Sequence, residues 1–291
     1  MLASRHDAFV PSVFDSTARS NVSKDLVIVA GAGDVGGRLA ALRIGVGDDV
    51  IALRRRDAPA GAGVRPHRAD LATGAGLSTL PRQAVAIVFC AAPDQRDEAA
   101  YRALYHDGLR RLLDAVEAPR IVFVSSTAVY AQDAGEWVDE GTPALPPAFN
   151  GRVLLDAERV LAPLPGGTVL RLSGLYGPGR EHLLRRAREG EAAQPRWTNR
   201  IHVQDAAAAL SHLLDQRNPQ PLYLGNDDQP ALEAEVLAWM RQAEGLPPVA
   251  AAGGPVRGRR VRNARLRASG WQPEHEDYRS GYAGLLAKPE V

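Results

Sequence analysis

The sequence predicts an α/β protein, a doubly wound parallel sheet with a smaller C-terminal α/β cap. Three observations predict it. From Asp25 onward, short β-branched runs alternate with longer segments of helical periodicity, the rhythm of parallel strands joined by crossover helices. A glycine-rich turn separates the first run from the first periodic segment, and after Leu172 the chain turns rich in Gly, Pro and Arg. In order, the strands are read at Leu26 to Ala30, Val50 to Leu53, Ala84 to Cys90, Ile121 to Val124 and Thr168 to Leu172, each apolar enough to be buried on both faces. Between them Val35 to Val46 and Asp94 to Val116 read as helices. In the second, Tyr101, Leu104, Tyr105, Leu112 and Leu113 fall near helical spacing. A further helix is expected from about Ala206 to Leu214, with Asp205 as its N-cap.

The 291 residues carry 35 basic and 34 acidic side chains, a formal net charge of +1. So small a surplus cannot neutralise a phosphate backbone, and no nucleic-acid partner is expected. Cys90 is the only cysteine, which forbids an internal disulfide, leaves no thiol cluster for a metal and suits a reducing, cytoplasmic setting. Lys24 and Lys288 are the only lysines, so chemistry that needs a lysine in the middle of the chain is ruled out. No apolar run reaches transmembrane length, and no membrane partner is expected. Residues 1–24 mix Arg5, His6, Asp7, Pro11 and Asp15 into their apolar stretch and read as an N-terminal extension rather than a secretion signal.

Gly31-Ala32-Gly33-Asp34-Val35-Gly36 follows a strand and opens a helix, the context in which GxGxxG signifies a dinucleotide-binding, Rossmann-type turn. Gly31 permits the tight turn, Gly33 lets a pyrophosphate approach the backbone, and Gly36 lets the helix pack on the sheet. The helix N-terminus, with Asp34 and Val35 in its first turn, offers unpaired N–H groups and partial positive charge to the anion. At the end of the second strand, where a carboxylate commonly accepts the ribose hydroxyls, the chain reads Arg54-Arg55-Arg56. A carboxylate would repel a 2′-phosphate, whereas a guanidinium binds it through paired, charge-assisted hydrogen bonds. The expected cofactor is therefore NADP or NADPH rather than NAD, with Arg54 and Arg55 weighted above Arg56.

Further segments line up in one order with the extended and atypical short-chain dehydrogenase/reductases, the NAD(P)-dependent epimerase/dehydratase-like group, over residues 26 to about 285. Asp70-Leu71 resembles that family's adenine-contacting pair, and Cys90-Ala91-Ala92-Pro93 the loop that passes under the cofactor. Ser125-Ser126-Thr127-Ala128-Val129-Tyr130 resembles its SSxxVY segment, Arg171 through Gly179 the stretch that closes over the nicotinamide, and Arg200 through Asp205 its RxxHVxD segment. The resemblance implies an NAD(P)-binding Rossmann domain over 25–172. Residues 173–291 are then expected to interleave completion of the sheet with a substrate-binding cap. It also implies that Ser126 holds the reacting oxygen, that Ser125 lies beside the cofactor, and that a downstream YxxxK moves the proton.

The chain departs from that pattern where the proton should move. Residues 150–158 resemble the family's helix with Glu158 eight residues beyond the tyrosine, which puts Asn150 at the tyrosine position and Leu154 at the lysine position. An amide has no usable proton near neutrality, and leucine has no charge to lower a phenol pKa. Tyr130, Tyr176 and His202 are the substitutes to weigh, against the plainer readings of packed rings and a loop histidine. Arg180, Arg196 and Arg200 lie in an arginine-rich stretch that either receives an anionic small-molecule substrate or forms a solvated face. With seven scattered histidines and no HxxxH spacing, no metal is expected. Two functions stay open: an oxidoreductase or epimerase/dehydratase acting on a small polar or nucleotide-sugar-like substrate, and a non-catalytic NADP(H) sensor. A homodimer through the helices at about 94–116 and 151–161 is what relatives lead one to expect.

Overall fold

The computed structural model describes residues 24–56 and 61–286. The expected N-terminal extension, apart from Lys24, lies outside the described residues, as does Lys288.

Seven strands form one fully parallel sheet: β1 (Leu26–Ala30), β2 (Asp49–Arg54), β3 (Arg65–Arg68), β4 (Ala86–Phe89), β5 (Ile121–Ser126), β6 (Gly167–Leu172) and β7 (Leu222–Gly225). Their spatial order is β7-β6-β5-β4-β1-β2-β3. The order reverses between β1 and β4, and at such a switch point an open α/β sheet leaves a crevice beyond the carboxyl ends of its strands. Register brings Ala30 beside Leu53 and Phe89, so the residues that follow them, Gly31, Arg54 and Cys90, meet along one edge.

Alternation along the strands divides the core. Ile28, Ile51, Leu53, Ile87, Phe89 and Phe123 face one side, which is covered by α2 (residues 98–115) and α3 (Phe149–Leu161); α1 (Asp34–Gly45) and α4 (Val203–Asp215) cover Val27, Val29, Val50, Val88 and Val122 on the other. Helix α2 is α-helical at Glu98–Tyr101 and Leu109–Ala115, with a π-type stretch at Arg102–Gly108 between them. β3 contains no apolar residue other than Pro66 and lies at the sheet edge, which is the place where a proline's missing N–H costs no ladder bond.

The remaining elements gather above the carboxyl edge. Helices His182–Glu189, Glu233–Ala243 and Tyr278–Leu286 share a small core of Tyr176, Leu184, Val236, Leu237, Met240 and Tyr282. Strand Gly258–Val261 pairs in parallel with Ala134–Val138, so a segment from the middle of the chain contributes to this region and the cap does not draw on residues after 172 alone. Among the described residues no helix is long and apolar enough to cross a membrane.

One expectation at a helix start is corrected. α4 begins at Val203, and His202 is its N-cap, with Nδ1 accepting from the Gln204 N–H at 3.3 Å. Asp205 sits inside the first turn, where it accepts from the backbone N–H groups of Glu274 (2.8 Å) and His275 (3.1 Å).

Candidate active site

The glycine turn is built as its spacing implies, and its three glycines sit in three different surroundings. Gly31 has φ +100°, a conformation that side chains avoid. Its N–H and that of Ala32 both donate to Leu53 O, at 3.3 and 3.2 Å, tying the turn to β2. A Cβ on Gly36 would collide with Gly31 O and the Cys90 sulphur, so this glycine sets the close approach of α1 to the sheet. At Gly33 a Cβ would meet nothing within 4 Å. Gly33 faces a cavity of about 340 Å³ that is also lined by Leu71, Cys90, Ala91, Ala92 and all three of Arg54, Arg55 and Arg56.

Arg54 is partly buried, with its guanidinium 3.8 Å from where a Cβ on Gly37 would stand. Arg55 pairs with Asp94 at 2.6 Å, joining the loop after β2 to the loop after β4, and that hydrogen bond raises its pKa further. The Asp70 carboxylate turns onto its own loop and accepts from the Ala72 N–H at 2.9 Å, whereas its neighbours Ala69 and Leu71 present themselves to the cavity. Burial pushes the Cys90 thiol up to about 12, and it donates to Gly31 O at 3.3 Å. It is a packing group and not a thiolate nucleophile.

A second cavity, of about 450 Å³, continues from the first and shares Gly31, Cys90, Ala91 and Ala92 with it. Val35 and Gly36 border it from α1, Ser125 and Ser126 from the end of β5, and Leu154 from α3. Ser126 Oγ accepts from the Ala128 N–H at 3.2 Å and keeps its own proton to donate. Arg180 enters from the loop after strand Gly174–Tyr176 and pairs with Asp34 at 2.7 Å; Asp34 also holds Arg38 at 3.0 Å. Burial raises the Asp34 pKa, but the two guanidinium partners outweigh it and hold the carboxyl below its usual value. Asn150 lies in the first turn of α3, outside this lining.

Three lining residues with polar side chains were not singled out from the sequence as site residues: Arg96, Tyr105 and Ser173. Ser173 is buried, and its Oγ has no hydrogen-bond partner among the described residues. A lone serine one residue past a strand carries no local signal. Tyr105 was visible only as one member of a helical stripe.

Several expected site residues are committed elsewhere, and the reason is in each case a partner distant in sequence. Tyr130 is fully buried: its hydroxyl donates to Asp139 O at 2.9 Å and accepts from Arg171 at 2.8 Å. Ser125 lines the cavity, but its hydroxyl donates to Glu158 at 2.6 Å. Tyr176 is buried in the cap core, with its hydroxyl 3.4 Å from Asp277 O and its ring stacked on Tyr282. Arg196 is bound to the wholly buried Glu233 at 2.6 Å, and Arg200 is itself buried over the Tyr278 ring; neither borders the cavity that Arg180 does.

His202 lies beneath Gly177, its ring 3.8 Å from that of His275, and burial, followed by the charge of His275, lowers its pKa. With Asp205 these two histidines bring three donor atoms within 4.8 Å of one another, a grouping of metal-ligand residues that no sequence spacing announced. Here the donors bond to each other and to backbone: His275 Nδ1 lies 2.9 Å from Asp205, whose carboxylate already takes two backbone N–H groups. The cluster fastens the segment before the last helix to α4.

No protein-family model matches the chain. Over 119 residues, 38% of its length, it is 40% identical to protein YeeZ of Escherichia coli (strain K12), and it spans only about two fifths (42%) of that protein. Its structure resembles that of a Methylobacillus flagellatus protein assigned to the NAD-dependent epimerases/dehydratases, with a TM-score of 0.81 and 39% identity over 91% of this chain and 98% of that one. The chain belongs to the NAD-dependent epimerase/dehydratase family. The fold of this epimerase/dehydratase-family chain extends to far more distant sequences. WbmG of Bordetella bronchiseptica, solved in complex with NAD, has a TM-score of 0.77 at 17% identity over 92% of this chain and 95% of that one.

Proposed function

We propose that this epimerase/dehydratase-family protein is an NADP-dependent oxidoreductase acting on a small polar, anionic substrate in the second cavity. The observation that carries it is Gly33. No protein atom lies within 4 Å of its Cβ position, so contacts within the protein do not require glycine there. A ligand pressed against the backbone does require it. The first-turn N–H groups of α1 have no intrahelical acceptor, and the helix begins at that space, which fits a pyrophosphate.

Arg54, Arg55 and Arg56 around the same cavity support NADP in preference to the NAD named with WbmG. A nicotinamide dinucleotide supplies the hydride donor or acceptor. The chain's own residues do the rest: Ser126 offers a hydroxyl proton to a substrate oxygen, Ser173 an unpaired hydroxyl, and Arg96 and Arg180 two cations for an anionic group. The near-neutral charge and the lack of a membrane-spanning helix among the described residues are consistent with a small-molecule partner in the cytoplasm. The exposed faces of α2 and α3 are the surfaces we assign to a homodimer.

Calorimetric titration tests the cofactor. NADP should bind more tightly than NAD by roughly 1.5–3 kcal/mol if the contact is charge-assisted, and Arg54→Ala should remove most of that difference while sparing NAD. Equal affinities for the two dinucleotides in the unmodified protein would end the NADP assignment.

One observation favours a second reading, a sensor that binds NADP(H) without turnover: Asn150 and Leu154 stand where the family's Tyr and Lys would be. Leu154 borders the second cavity, so a lysine at that position would bring its ammonium there. Activity gained only by Asn150→Tyr with Leu154→Lys, from a protein silent toward a broad panel of aldehydes, ketones and sugar nucleotides, would favour the sensor.

A further inference from the structure

We propose that Tyr105 is the proton donor of the second cavity when a carbonyl is reduced there. The inference rests on the dinucleotide reading above and adds to it a residue. Tyr105 borders the same cavity as Ser126 and Leu154. Among the described residues no group hydrogen-bonds its hydroxyl, whereas Tyr130 and Tyr176 have theirs spent on backbone carbonyls. Its ring is fixed by Tyr101 at 5.4 Å, Phe123 at 6.1 Å edge-on and Phe89 at 6.4 Å. It sits in the π-type stretch of α2, a distortion that recurs at functional sites. Ser126 and Ser173 also keep hydroxyls to donate, but an aliphatic hydroxyl is a far weaker acid than a phenol, so they hold the substrate oxygen by hydrogen bonds and do not protonate it. Cys90 already donates to Gly31 O, and the guanidinium groups of Arg96 and Arg180 do not deprotonate.

The environment of the phenol keeps it protonated. Burial raises its pKa, and the neighbouring Tyr101 and Cys90 raise it further. The resting group is therefore the neutral phenol, a donor and not a base. In the forward step the carbonyl carbon accepts a hydride from a reduced nicotinamide dinucleotide, which is oxidised. The π-electron pair of the C=O bond moves onto oxygen, which takes the phenolic proton as the O–H bond of Tyr105 breaks. The phenolate then regains a proton from water. Alcohol oxidation would be the reverse of the same transfer, with the phenolate as base.

Tyr105→Phe keeps the ring and removes the proton; Tyr101→Phe, which alters a neighbouring ring outside the lining, is the control. With reduced dinucleotide and a panel of aldehydes and ketones, Tyr105→Phe should lower kcat by about 10²-fold or more, with dinucleotide Kd within twofold and Tyr101→Phe unchanged. A second readout needs neither turnover nor cofactor. Ultraviolet difference titration of the free protein, with the fold followed by circular dichroism, should show no phenolate attributable to Tyr105 between pH 7 and 10.5. Full reduction by Tyr105→Phe, a phenolate below pH 9 that this variant lacks, or dinucleotide binding without reduction of any carbonyl by the unmodified protein would each overturn the proposal. Failure to bind either dinucleotide would instead strike the function proposed above.

Discussion

Gly33 and Ser126 are where single residues are asked to do chemistry, and each makes a separable demand. Because no protein atom lies within 4 Å of a Cβ at Gly33, Gly33→Val should abolish dinucleotide binding, read by calorimetry, while circular dichroism shows the protein still folded. Retained binding would move the cofactor away from this turn. Ser126→Ala removes a hydroxyl proton that no protein group uses, so fold and dinucleotide affinity should be spared and kcat should fall on the order of 10²-fold. A raised KM with unchanged kcat would make Ser126 a binding group only. The glycine turn and the places of Arg54 and Ser126 at their strand ends were legible in the sequence because they depend on immediate neighbours. The commitments of Tyr130, Tyr176 and Arg196 were not, since their partners Arg171, Asp277 and Glu233 lie 41, 101 and 37 residues away. Nor could periodicity separate Tyr105 from the core stripe, because a ring lining a cavity and a ring packed under it repeat with the same spacing.

At the scale of elements, the end of β5 is held by a buried ion pair. Arg171 from β6 grips Glu158 of α3 through two hydrogen bonds, at 2.9 and 2.6 Å, with the side chains only 6% and 8% exposed. Ser125 and Tyr130 complete the network, so one strand, one helix and the segment after β5 converge beside Ser126. The glutamate that helped align this helix with its family is thus a positioning residue. Glu158→Gln would leave a buried guanidinium without its counter-ion and should cost about 3–5 kcal/mol in urea unfolding. Arg171→Met combined with Glu158→Leu should recover much of that loss; a single-mutant cost below about 1 kcal/mol would mean that the pair does not hold the strand end. The strands of the central sheet were readable because burial on both faces demands unbroken apolar runs. β3 was not, having almost no apolar content, and neither was the pairing of Ala134–Val138 with Gly258–Val261, whose partners lie too far apart for any local pattern.

For the whole molecule, the question is how the cap is coupled to the dinucleotide turn, and the contact that joins them is Arg180 on Asp34. Asp34 places a carboxylate in the first turn of α1, which is favourable to the helix but opposed to any anion bound at its N-terminus. Arg180, arriving from the loop before helix His182–Glu189, neutralises that charge together with Arg38. Removing Arg180 should therefore do more than loosen the loop: it should leave Asp34 balanced by Arg38 alone, so that the group facing the incoming pyrophosphate loses one positive charge. At an effective dielectric near 20, two unit charges about 8 Å apart interact by roughly 2 kcal/mol. The pair is partly exposed, with side chains 42% and 28% accessible, so screening reduces the effect to about 1 kcal/mol. Arg180→Ala should then weaken dinucleotide binding by somewhat less than tenfold and raise hydrogen exchange across residues 174–190 while β1, β4 and β5 stay protected. Adding Asp34→Asn should restore the affinity but not the protection, because it removes the repulsion without rebuilding the tether. If the double variant binds no better than Arg180→Ala alone, the arginine acts on the ligand directly and not by masking Asp34.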